Sequence, residues 1–165
     1  MKPLLQTKED QYLLNCFSLQ KKCNILYKTF IFEKKQFKDE MKLEAKIARD
    51  ISQFIRDNLS YFQSFDEVVL YYDNGQKQLS RILNTVLATE IVDYEVRKVK
   101  PSDYRLFQVA DLICTIELLG KKIESGEQLS KSEEYIFHSK RAFKKDFLKK
   151  IVDKQFNRSN PFMTT

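Results

Sequence analysis

The chain has 165 residues, 42% of them hydrophobic and 13% aromatic, with three glycines, three prolines and a net charge of +6. That length supports one domain with its own core, and the scarcity of glycine and proline excludes a loop-rich sandwich and a disordered chain. No apolar run reaches the roughly 18 residues of a membrane span, and no secretory leader is legible after Met1-Lys2.

Thr7 opens a first predicted helix whose acids sit in its first turn and whose lysines sit in its last, as the helix dipole favours. Residues 25–33 predict a strand: Ile25, Tyr27, Thr29 and Ile31 alternate with Leu26, Phe30 and Phe32, nearly all β-branched or aromatic. Residues 36–60 predict a long helix, with Phe37, Met41, Ile47, Ile51, Phe54, Ile55 and Leu59 on one apolar stripe. The next strand, residues 67–72, shows no alternation, which suits a strand covered on both faces.

Asn74-Gly75 then gives the strongest short-range signal for a hairpin. A hairpin needs a second strand, whereas Leu79, Ile82, Leu83, Val86 and Leu87 recur at helical spacing, so the turn is expected to join strand to helix. Residues 91–99 read as a half-exposed edge strand, Val92, Tyr94 and Val96 on one face and Asp93, Glu95 and Arg97 on the other. Pro101-Ser102-Asp103 breaks it and caps a helix over residues 104–123, which Ser125-Gly126 ends. Ser130-x-x-Glu133 is a capping box opening a last helix over 131–153, and residues 155–165 read as a loose tail. Alternating strands and helices predict a single α/β domain over residues 1–154, with βαβ units, a parallel sheet, about three strands and five helices.

Two carboxylates stand out. Asp73 ends the most apolar strand, where open α/β sheets bind ligands, and Gly75 permits a tight turn beside it; the same residue also suits a simple helix or turn cap. Asp111 interrupts "FQVADLICTI" and shares a helical stripe with Gln108 and Thr115. Buried, it needs a partner or a metal; on the solvent side of an amphipathic helix it needs neither. Two acids from a strand end and a later helix suit a hard divalent cation, magnesium or manganese, and Glu33, Asp10 and Glu117 are candidates for a third ligand. Cys16, Cys23 and Cys114 form no C-x-x-C pair and His138 is the only histidine, which argues against zinc and for reduced thiols in a cytoplasmic protein. No dinucleotide fingerprint, P-loop or nucleophile elbow is present, so a small-molecule enzyme has no motif in its favour.

At "VVLYYDNGQKQLSRIL" and "FQVADLIC" the chain resembles the ribonuclease-H-like proteins grouped as domain of unknown function 3800, over roughly residues 7–125. That resemblance implies a mixed sheet flanked by helices and a metal-dependent phosphodiester hydrolase, with Asp73 and Asp111 matching two acidic metal positions and Gln108 matching the motif glutamine. Members of the family open with an acidic strand of Asp-Glu-Ser-Gly type that this sequence lacks. The implied fold is thus incomplete, and the expectation is a truncated remnant, one half of a split enzyme, or a sheet closed by a second chain or by self-association.

Residues 131–158 hold nine basic and four acidic residues, so +5 of the net +6 belongs to this segment. Such a segment is often only a solvated helix face, but it also attracts nucleic acid. Lys140, Arg141, Lys144 and Lys145 are the residues expected to hold a phosphate backbone. Two functions follow: a metal-dependent nuclease-like domain, and a non-catalytic nucleic-acid-binding or assembly module.

Overall fold

The computed structural model describes Ser18 and residues 25–73, 77–100 and 104–156. They form two compact units, one of residues 25–29 and 104–156 and the other of residues 30–100. The predicted first helix and most of the predicted tail lie outside the described residues. No described helix is long and apolar enough to cross a membrane.

The unit of residues 30–100 is built around one βαβ crossover. Its first long helix, α1 (Glu40–Asp57), starts later than the apolar stripe suggested because Asp39 caps it, accepting from the Lys42 amide at 2.8 Å. Phe37 precedes the helix, and Met41 is 78% exposed, so the stripe begins effectively at Ile47. Asn58 ends α1 by turning its amide onto the Phe54 carbonyl at 2.7 Å, and α2 (Leu59–Phe62) follows. Strand β1 (Val68–Asp73), helix α3 (Lys77–Glu90) and strand β2 (Tyr94–Val99) come next.

β1 and β2 are parallel, in register from Val68 opposite Tyr94 to Asp73 opposite Val99. The connection after β1 is therefore a helical crossover and not a hairpin, although Asn74-Gly75 itself lies outside the described residues. Val92 precedes β2 and is 91% exposed, so the expected apolar face shrinks to Tyr94 and Val96. β1 is half-buried from Val68 to Leu70 and exposed at Tyr71, less covered than a strand sandwiched between two layers. The core is Ile55, Ile82, Val86 and Leu87, with Phe54, Phe62, Leu70 and Tyr94 packed around it. Arg56 closes one side, gripping the Glu90 carboxylate through Nε and Nη2 at 2.7–2.9 Å.

The expected strand over 25–33 does not form, and the stretch is divided between the two units at residue 30. Only Tyr27 makes a bridge, donating its amide to Lys154 O at 3.0 Å and accepting from Phe156 N at 2.7 Å. The remaining residues of that stretch have no ladder partner among the described residues. Their β-branched and aromatic character reports a demand for burial, and Tyr27 satisfies it as a core side chain. The sheet thus has two parallel strands among the described residues, not three in a mixed sheet.

Helix α4 (Arg105–Glu124) supplies Val109, Leu112, Ile113, Ile116, Leu119 and Ile123 to this second core. Gly126, at φ 91, reverses the chain after it, and its amide bonds back to Ile123 O. The capping box at Ser130 and Glu133 opens α5 (Lys131–Phe137) as expected. The last helix is not continuous, however. His138 adopts φ 64 and ψ −70 while the Ser139 amide bonds to Phe137 O at 2.9 Å, a γ-turn of the rare, strained kind. Ser139 then caps a new helix: α6 (Lys140–Phe143), a π-helical segment Lys144–Leu148 and α7 (Lys149–Val152) run on without interruption. Phe137, Phe143 and Phe147 pack ring against ring across the break, with centroids 4.9–6.4 Å apart.

Candidate functional site

Asp73 is the last residue of β1, at the carboxyl end of the parallel pair and opposite Val99. The βα connection that follows is the position at which α/β sheets present ligand-binding residues. Asp111 lies on α4 in the other unit. Val109, Leu112, Ile113 and Ile116 point into the core while Asp111 and Thr115 are exposed, so Asp111 occupies the solvent side of its helix. No burial cost has to be offset there. Gln108, one turn earlier, is half-buried.

The candidate third ligands have other roles. Glu117 accepts the Tyr27 hydroxyl at 2.7 Å, and Glu33 accepts the Gln36 side-chain amide at 2.9 Å beside a short 3-10 turn. Asp10 lies outside the described residues. Among the described residues no three His, Cys, Asp or Glu side chains gather as a metal-ion group. Cys114 is a free thiol next to Asp111; partial desolvation, with Asp111 and Glu117 nearby, pushes its pKa up and makes it a poorer nucleophile.

The basic helix carries a different signal. Lys42, Lys46, Arg56, Arg81, Arg97, Lys121 and Lys122 each pair with a carboxylate. Lys140, Arg141, Lys144, Lys145 and Lys149 make no direct ion pair among the described residues, as is also true of Lys38, Arg49 and Arg105, although the Lys144 charge helps to lower the Glu124 carboxyl; all but half-buried Lys140 are exposed. The helix thus offers five cations within ten residues. Lys149 joins the four expected from sequence; the continuity of the basic tract through the π-helical segment was its only signal.

Comparison of the chain with protein-family models, with curated proteins and with solved structures finds no match.

Proposed function

We propose that the chain is a nucleic-acid-binding module that holds the phosphate backbone through Lys140, Arg141, Lys144, Lys145 and Lys149. The observation that supports this reading is their clustering: five cations stand within ten residues along one helix, and none makes a direct ion pair among the described residues. Cations clustered along one helix displace condensed counterions from a polyanion, and that release drives sequence-independent binding. A cytoplasmic setting belongs to the same reading. The test is fluorescence anisotropy with labelled single- and double-stranded DNA and RNA. Lys144→Glu combined with Lys145→Glu is expected to weaken binding at least tenfold; unchanged affinity on every probe would remove the proposal.

A second reading is a metal-dependent phosphodiester hydrolase of ribonuclease-H-like descent, or part of one. It draws support from Asp73 at the carboxyl end of β1 and from the resemblance at Gln108 and Asp111. The described side chains alone do not fit a two-metal centre, which needs more carboxylates than they gather. This reading therefore calls for ligands from elsewhere, such as a second chain. It predicts Mn²⁺-dependent cleavage that Asp73→Asn and Asp111→Asn each abolish, and cleavage undiminished in both variants would discard it.

A further inference from the structure

We infer that β2 is a self-association edge: two copies of the chain pair their β2 strands antiparallel, in the register that sets Val96 opposite Val96. Val68 donates its amide to Asp93 O at 3.1 Å, and Val68 lies opposite Tyr94 in the parallel ladder. By the period-two alternation of a strand, Glu95 and Arg97 then turn their amides and carbonyls toward β1. Tyr94, Val96 and Lys98 turn theirs away. Those outward groups find no protein partner among the described residues, because the sheet stops at β2. A two-stranded sheet is marginal in water, and such an edge is a template for another strand.

Charge then selects the partner and the register. About a twofold axis perpendicular to the sheet, directly opposed residues share a face, and Tyr94, Val96 and Lys98 must supply the hydrogen-bonded pairs. With Val96 opposite Val96, Glu95 of each copy faces Arg97 of the other in the non-hydrogen-bonded positions, where side chains approach most closely. Tyr94 faces Lys98. Sliding by two residues opposes Glu95 to Glu95 or Arg97 to Arg97, and sliding further opposes Asp93 to Glu95 or Lys98 to Lys98. One register alone avoids like charges, so β2 is complementary to itself.

The side chains are already placed for the exchange. Within one chain Arg97 grips Glu95 through Nε and Nη2, which holds both groups on one face, with 46% and 42% of their side-chain surface open to solvent. Arg97 is steadied by the Tyr71 hydroxyl at 3.0 Å. The outer edge of β1 lacks this property: residues 67–73 carry two acids and no base, so no register sets opposite charges against each other. Pairing through β2 yields a continuous four-stranded sheet in the order β1-β2-β2-β1. With one strand pair as its centre, the dimer is concentration-dependent and not obligate.

Sedimentation velocity on the full chain over a concentration series, without nucleic acid, tests the inference. The wild type is expected to pass from monomer to dimer. Val96→Pro removes only an amide that points away from β1, so it keeps the β1–β2 ladder while reducing dimer formation at least tenfold. Arg97→Glu also dissociates the dimer by opposing two acids, and adding Glu95→Arg to it restores association, because that double variant again sets an arginine against a glutamate. Far-ultraviolet circular dichroism verifies that each variant is folded. A chain that stays monomeric throughout overturns the inference and leaves the edge to a strand of different sequence. A dimer that survives either single change, or one that the double variant does not restore, overturns the interface and its register.

Discussion

The Tyr27 hydroxyl donates a 2.7 Å hydrogen bond to Glu117 Oε1, joining residues 90 positions apart. Together with the main-chain bonds of Tyr27 to Lys154 and Phe156, it pins the extended segment around residue 27 to α4 and to the residues just after α7. Burial, followed by the Glu117 bond and charge, pushes the Tyr27 phenol well above its ordinary value of 10.0.

That linkage has a definite sign. The neutral phenol contributes its full stabilisation below pH 10, and the contribution declines as pH rises from there toward the higher folded value. In an alkaline titration followed by phenolate absorbance, one tyrosine is expected to ionise only as the fold is lost, and Tyr27→Phe removes that late component. The same variant loses about 1 kcal/mol in urea unfolding, the net worth of a hydrogen bond whose freed acceptor can reach water. An unchanged titration curve would detach the hydroxyl from Glu117.

Acid should act on the other unit through Glu90. The Arg56 hydrogen bonds hold the Glu90 carboxyl below its usual 4.5, so the pair stabilises fully above that value and fades as pH falls through the lower folded one. Urea midpoints measured from neutral pH into acid should drop less steeply for Glu90→Gln than for the wild type, from a lower starting point. Parallel curves would deny the pair any role in acid unfolding.

His138→Gly is expected to raise stability by about 1 kcal/mol, since the strain of a non-glycine residue at φ 64 exceeds the entropy that glycine adds to the unfolded chain. A loss of stability would mean that the imidazole itself holds the break between α5 and α6.

The basic helix makes a quantitative prediction in salt. Plotting log affinity against log salt for duplex DNA, neutralising Lys144 and Lys145 with glutamine should reduce the slope by about 0.9 per cation, and by about 0.7 per cation on single strands. A weaker affinity with an unaltered slope would show that those lysines act by shaping the helix and not by touching phosphate.

The parts of the fold that sequence revealed were those carried by local periodicity. Leu79 to Leu87 announced α3 strongly enough to override the Asn-Gly signal, and Ser130 with Glu133 announced the cap of α5. The segment at residues 25–33 misled because strand-like composition records burial, whereas a ladder needs a neighbour that no local pattern reveals. The break at His138 was equally hidden: a γ-turn is held by one main-chain hydrogen bond and tertiary packing, and histidine carries no turn signal there. For the site, Asp73 was legible as a strand end and Asp111 as a helix residue, but α4 is apolar over so much of its surface that periodicity left its solvent side undecided. The basic tract was visible as a charge excess. That none of its cations makes a direct ion pair, among the described residues, required the positions of the acids.

The bridge between Tyr27 and Gln155 also sets a timetable for synthesis. The whole of residues 30–100 leaves the ribosome before either half of the later core can close, because Tyr27 must wait for Lys154 and Phe156. At 5–20 residues per second the wait lasts roughly 6 to 25 seconds. During that interval Phe30 can already pack against Phe54, but the main-chain groups of Tyr27 stay open, making that short segment a natural point of engagement for a holdase and the place where a stalled or shortened nascent chain would first betray itself by clumping.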